Sequence, residues 1–122
     1  EKNEVMYEEY LMEDAEICVV AFGITSRVAK NAINVAKEKG IKVGLIRPIT
    51  LWPFPTKVFK AAAEKVNSFI SVELSMGQMI EDIRASVEYK KPVTLCNRAG
   101  GMIPSPEMVL EAIREANKGG NK

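Results

Sequence analysis

The sequence predicts an α/β domain built on a mostly parallel sheet with helices on both faces. Three observations carry that prediction. Apolar runs rich in β-branched residues recur at residues 17–22 (ICVVAF), 41–46, 68–74 and 92–96, as expected of strands covered on both faces. Between them lie stretches whose apolar residues fall at helical spacing. The connections are short, and strand–helix alternation with short connections specifies parallel strands. At 122 residues, with no internal repeat, linker or low-complexity stretch, the chain reads as one domain over residues 1–122, large enough to bury a core without staples.

Each element has a local cause. After the first apolar run Gly23 breaks the strand, and Thr25 or Ser26 is placed to cap a helix whose apolar face is Val28, Ala29, Ala32, Ile33 and Ala36. That helix stops at Lys37-Glu38-Lys39-Gly40, with late lysines and a terminal glycine. After the strand at 41–46, Thr56 is placed to cap a second helix with face Val58, Phe59, Ala62 and Val66. Met76, Met79, Ile80, Ile83 and Val87 mark a third helix after the strand at 68–74. Ser105-Pro106-Glu107 is a cap followed by proline at the first helical position. The last helix buries Met108, Val109, Ala112, Ile113 and Ala116 and frays at Gly119-Gly120. Residues 5–11 read as an edge strand, on the alternation of Val5, Tyr7 and Glu9 with the other face.

Composition excludes several functions. Apolar residues make up 47% and charged residues 27%, ordinary for a globular domain. The net charge of +1 gives no electrostatic case for nucleic acid or an anionic membrane. No apolar run approaches the ~18 residues of a membrane span. The start is acidic (Glu1, Glu4, Glu8, Glu9) rather than basic, unlike a signal peptide. Cys18 and Cys96 lie in apolar runs and read as buried free thiols, which points to the cytoplasm. The sequence has no histidine, which removes His-based nucleophile activation, His-ligated zinc and the usual general base near neutral pH. The domain is expected to perform no chemistry by itself. Its opening at Glu1 without Met fits a fragment of a longer polypeptide.

Candidate binding residues gather in the loops at 23–27, 47–55, 75–78 and 97–104, all expected on the carboxyl edge of the sheet, where such folds meet ligands and partners. The 47–55 loop is the most informative. Pro48, Pro53 and Pro55 stiffen it, and it holds Arg47, Trp52 and Phe54, types enriched at interface anchors. Arg47 cannot stay buried and unpaired. Either it pairs within the domain, with Glu73 the natural candidate, or it meets an anionic ligand or partner. Gly23-Ile24-Thr25-Ser26 is either a plain strand-to-helix turn or an anion site, though it lacks the glycine pattern of dinucleotide loops. Arg98-Ala99-Gly100-Gly101 is either a flexible turn or a wrap for a phosphate or partner backbone.

These residues together resemble the C-terminal portion of the alpha subunit of 2-oxoacid:ferredoxin oxidoreductases, especially the 2-oxoglutarate type. The matching stretches are YEEY (7–10), GITSRVAK (23–30), GIKVGLIRPITLWPFP (40–55), ELSMGQMIED (73–82) and RAGGMIPSP (98–106). The GLIRPITLWPFP and MGQM segments are the specific ones. Ala99 stands where that family's pattern has proline, which leaves the loop less rigid. More distantly, the order is similar to the transketolase C-terminal domain.

The resemblance implies a three-layer α/β/α sandwich with a five-stranded sheet in the order 1-3-2-4-5, strand 1 antiparallel. It implies a parent enzyme that oxidatively decarboxylates a 2-oxoacid on thiamine diphosphate, passes electrons through an iron–sulfur cluster to ferredoxin and forms an acyl-CoA. Thiamine diphosphate, Mg2+ and the cluster would be held mainly by other alpha-subunit domains or the beta subunit. This domain would then be a non-catalytic assembly piece, with Arg47, Trp52, Pro53, Phe54, Met76, Gly77, Gln78, Met79, Gly100, Gly101 and Met102 at the interface. Arg47, Arg98, Thr25 and Ser26 stand as weaker candidates for CoA or another anion. The alternative is a stand-alone flavodoxin-like module binding a phosphate at residues 23–27.

Overall fold

The computed structural model describes residues 7–49, 56–73, 78–88, 90–98 and 102–120, without the side chains of residues 78, 79, 119 and 120. The strands are β1 (Tyr7–Tyr10), β2 (Ile17–Ala21), β3 (Val43–Pro48), β4 (Ser68–Val72) and β5 (Val93–Cys96). The helices are α1 (Thr25–Glu38), α2 (Thr56–Ala63), α3 (Gln78–Ser86) and α4 (Pro106–Gly120). The sheet runs β1-β3-β2-β4-β5. β1 is antiparallel to β3, and the pairs β2–β3, β2–β4 and β4–β5 are parallel. The expected topology is the observed one.

Alternation along the central strands divides the core into two layers. Ile17, Val19, Ala21, Val43, Leu45, Ile70 and Val72 pack with α1 and α4 through Ala29, Ala32, Ile33, Ala36, Val109 and Ile113. Cys18, Val20, Ile46 and Phe69 face the other way, onto Phe59 and Ala62 of α2 and Ile80 and Ile83 of α3. There the Phe59 and Phe69 rings meet edge to face, centroids 6.3 Å apart. Fully buried side chains of this size each stabilise the fold by about 1.5–3 kcal/mol. Val58 of the expected α2 face is only partly buried.

Two glycines have conformational reasons. Gly40 adopts φ +83; its N–H donates to the Lys37 carbonyl and that of Ile41 to the Ala36 carbonyl, the paired bonds of a glycine helix stop. A Cβ on Gly44 would lie 2.7 Å from the Leu11 carbonyl oxygen and 2.9 Å from Met12 Cα. The link from β1 to β2 therefore crosses β3 at Gly44, and only glycine leaves room. Leu11 turns at φ 57 to begin the crossing, and Met12 and Ala15 then bury themselves in the α2/α3 layer.

Several boundaries differ from expectation: β3 runs Val43–Pro48 rather than 41–46, so Arg47 and Pro48 belong to the strand, and α2 ends at Ala63, before Val66. α4 continues through Gly120 rather than ending before the glycine pair. Its start is as read: Ser105 Oγ accepts from the Met108 N–H at 3.2 Å. β1 is an edge strand, but its half-buried residues are Glu8 and Tyr10, while Tyr7 is exposed. Glu8 and Tyr10 lie against α1, whose polar side chains partner both.

Candidate functional site

Because β2 to β5 are parallel, the chain leaves all four on one edge. Above β2 and β3 that edge forms an open cavity of about 600 Å3 lined by Glu8, Gly23, Ile24, Ser26, Arg27, Lys30 and Arg47. Among the described residues three cations and one carboxylate surround it. Gly23, at φ 66, turns the chain from β2 into α1, a conformation that favours glycine.

Arg47 does not pair with Glu73. Along β3, Val43 and Leu45 face the α1/α4 layer, so Arg47 does too; along β4, Ile70 and Val72 face that layer, so Glu73 points to the opposite one. Glu73 is buried and accepts from Ser71 Oγ at 2.7 Å. Arg47 instead lies directly across the ladder from Glu8, and its Nε donates to Glu8 Oε1 at 2.6 Å. The Arg47 guanidinium, helped by Lys30, holds the Glu8 carboxyl below its ordinary pKa. Lys30 Nζ stands 3.6 Å from Glu8 Oε2 and 5.3 Å from the centre of the Tyr10 ring. The Tyr10 hydroxyl donates to Asn34 Oδ1 at 2.8 Å. Lys30 and Asn34 are one turn apart on α1, so this network fastens β1 to α1. Among the described residues the Arg47 Nη groups have no hydrogen-bond partner, and Arg27 has no ion pair.

Thr25 and Ser26 are not helix caps. Ile24 occupies that position with helical dihedrals and no side-chain cap bond. Thr25 Oγ1 donates to the Phe22 carbonyl at 2.8 Å and lies 3.3 Å from the Val72 carbonyl. Ser26 Oγ donates to the Gly23 carbonyl at 2.7 Å, and the Ser26 and Arg27 N–H groups are taken by Gly23 and Ile24 carbonyls. The hydroxyls tie the start of α1 to the ends of β2 and β4, and are not available to an anion as the flavodoxin-like reading requires.

Arg98 follows β5, which β2 and β4 separate from β3, the strand of Arg47; its Nη1 donates to the Ile103 carbonyl at 3.3 Å. The two arginines do not share a site. Met102 and Ile103 are exposed beside it. Trp52, Pro53, Phe54, Met76, Gly77, Gly100 and Gly101, and the side chains of Gln78 and Met79, lie outside the described residues. Residues that sequence reasoning did not single out are Arg27, Lys30 and Asn34. The available signal was their spacing on the polar side of α1, opposite its apolar face.

The chain matches the family described as pyruvate:ferredoxin oxidoreductase core domain II over residues 15–109. It belongs to that family. It is 54% identical over 115 residues, 94% of this chain, to ketoisovalerate oxidoreductase subunit VorB of Methanothermobacter marburgensis. It is 35% identical over 111 residues, 91% of this chain, to 2-oxoglutarate synthase subunit KorA of Methanothermobacter thermautotrophicus. The chain spans about a third of these relatives, 32% and 30% of their length. Among solved structures, 2-oxoglutarate:ferredoxin oxidoreductase from Magnetococcus marinus superposes with TM-score 0.76 at 29% identity, over 90% of this chain and 19% of that one. A split-gene transketolase reaches TM-score 0.79 at 16% identity, over 93% of this chain and 41% of that one, a likeness of fold alone.

The donors in this core domain II do not fit an iron–sulfur cluster. Cys18 faces the α2/α3 layer and Cys96 the α1/α4 layer, and burial pushes both thiols up in pKa, away from the thiolate a metal needs. Among the described residues no three His, Cys, Asp or Glu side chains gather to hold a metal ion such as the Mg2+ of a diphosphate. Nor is any helix among them long and apolar enough to cross a membrane. What the cavity at Arg47 offers is charge and hydrogen-bond donors for an anionic group, with Glu8 already engaged by Arg47 and Lys30.

Proposed function

We propose that this chain is the non-catalytic assembly domain of the alpha subunit of a thiamine-diphosphate-dependent 2-oxoacid:ferredoxin oxidoreductase. The whole enzyme would convert a 2-oxoacid to its acyl-CoA and reduce ferredoxin. The observation that carries the reading is the 54% identity to a ketoisovalerate oxidoreductase subunit across 94% of the chain. That identity also favours a branched aliphatic 2-oxoacid as substrate. Bound thiamine diphosphate supplies the electron sink for decarboxylation, and its site, like those of Mg2+ and the cluster, belongs to other domains or the beta subunit. The carboxyl edge then packs on those partners, and the enzyme works in the cytoplasm. The test is reconstitution. The chain alone should show no ketoisovalerate-dependent dye reduction and no calorimetric binding of thiamine diphosphate, while the alpha–beta assembly shows both. Tight cofactor binding by the chain alone would overturn the division of roles.

A second reading is favoured by the Arg47 Nη groups, which have no hydrogen-bond partner among the described residues and lie beside Arg27 and Lys30. These cations would take an anionic group of CoA during the reaction. Arg47→Ala in the whole enzyme should then raise the KM for CoA. An unchanged KM with poorer subunit assembly would make Arg47 an interface residue.

A further inference from the structure

The outer edge of the sheet at β5 is half closed and half open. Among the described residues β5 pairs on one side only, with β4. The Phe69 N–H donates to the Pro92 carbonyl and the Glu73 N–H to the Cys96 carbonyl. In a parallel ladder this register turns the backbone groups of Pro92, Thr94 and Cys96 toward β4 and those of Val93 and Leu95 outward. The outward Val93 carbonyl is covered: Arg84 Nη2 donates to it at 3.2 Å, while its Nη1 bonds Glu81 Oε2 at 2.9 Å. At Leu95 no described side chain plays that part, and its own side chain is 39% exposed. The open groups within β5 are thus the N–H and carbonyl of Leu95, and exposed strand amides and carbonyls are a template for a further strand.

Beside this open half runs a trough. Two cavities, of about 520 and 500 Å3, share Leu95, Ala112 and Glu115 in their linings and so lie side by side along β5 and α4. The floor is apolar, with Met108 and Ala116 at its two ends. The rim is acidic: Glu107, Glu111 and Glu115 stand four residues apart on α4, and neither cavity is lined by a described lysine or arginine. Among the described residues Glu111 pairs with Arg114 alone, at 3.9 Å, an ion pair exposed on both sides and weak.

We infer that β5 from Leu95 onward, with the trough beside α4, receives an extended apolar segment flanked by lysine or arginine from the chain this domain assembles with. The segment adds as a sixth strand. Its backbone pairs with Leu95, alternate side chains enter the trough, and its cations meet the three glutamates. A second copy of this chain would bring its own acidic stripe against this one, which disfavours self-pairing. The inference rests on the assembly reading above but assigns the contact to the sheet's side edge rather than its carboxyl edge.

The test uses the complete alpha subunit with its beta subunit. On assembly the Leu95 amide should slow in hydrogen exchange by roughly tenfold or more. Leu95→Pro removes an outward N–H and leaves the ladder to β4 intact, so the subunit dissociation constant should rise by roughly tenfold with the alpha subunit's own melting temperature kept. Should that variant fold poorly, Glu111→Lys with Glu115→Lys decides: the dissociation constant should rise severalfold, and less so at high salt. Wild-type affinity in the folded variants, with an unprotected Leu95 amide in the assembly, would overturn the inference. So would concentration-dependent protection in the alpha subunit alone, which would assign the edge to a second copy. A wild-type alpha subunit that bound no beta subunit would instead overturn the assembly reading itself.

Discussion

β1 and β5 are the two edges of one sheet, and they are finished differently. β1 lies antiparallel over β3, its Glu8 bridging Arg47 and Lys30 and its Tyr10 bonded to Asn34. Charged and aromatic side chains tie that edge to α1. β5 carries one guanidinium over Val93 and then presents Leu95 beside an apolar trough. An edge fastened by polar side chains resists further pairing, while an edge left apolar and open invites it. The contrast places self-sufficiency on the β1 side and the unmet surface on the β5 side.

The strongest way to break the contrast is at Gly44, because the β1 edge exists only while residues 11–12 cross β3 there. Gly44→Ala puts a methyl 2.7 Å from the Leu11 carbonyl oxygen and should cost about 1–3 kcal/mol. In denaturant melts the midpoint should fall, and the Tyr10 amide should lose exchange protection before the β2 amides do. A neutral substitution would mean that the crossing is loose and β1 adds little. Next in size is Arg84→Ala. It uncovers the Val93 carbonyl and should cost about 0.5–1.5 kcal/mol, read as a lower denaturation midpoint. An unchanged midpoint would show that Arg84 does not guard the edge.

Much of this was legible in the sequence because a strand buried on both faces must be apolar throughout. Residues 17–21 (ICVVA) are buried at every position, as the apolar run 17–22 predicts, while Phe22, past the end of the strand, is exposed. The helix faces followed for the same reason: Ala29, Ala32, Ile33 and Ala36 recur at the spacing that turns them to one side. The strand order came from the resemblance, since nothing local says that the third strand sits between the first and second. Partners that depend on register were harder. Glu73 looked right for Arg47 as another strand-end residue, yet the two-residue alternation puts them on opposite faces, and Glu8 reaches Arg47 only through the β1–β3 pairing. Thr25 and Ser26 have the chemistry of caps, but local geometry turned their hydroxyls back to the carbonyls of Phe22 and Gly23. The open half of β5 was invisible because it depends on where Arg84 ends.

A smaller effect tests the charge network of the β1 edge. Glu8 has an ordinary value of 4.5 and a folded value below it, owing first to Arg47 and then to Lys30. A carboxyl whose pKa is depressed by folding binds fewer protons folded than unfolded. Its contribution is therefore complete above about pH 4.5 and is lost as pH falls through the lower folded value. Glu8→Gln should be slightly less stable than wild type at neutral pH, and the two melting curves should converge toward pH 3. The difference should shrink in salt, because the group is only half-buried. A difference that persists in acid would mean that Glu8 acts by packing rather than by charge.

The smallest expected effect is the most discriminating between the edges. Leu45 and Leu95 are both strand leucines, but Leu45 is wholly buried and Leu95 is 39% exposed. Leu95→Lys should therefore change the stability of the chain itself by no more than about 0.5 kcal/mol. A lysine on a sheet edge is also the residue type that natural edges use to prevent pairing. The same substitution should then weaken subunit assembly while the denaturation midpoint of the chain stays in place. A loss of about 2 kcal/mol or more, the scale of a buried leucine truncated to alanine, would show that Leu95 belongs to the core and that the β5 edge is closed like the other.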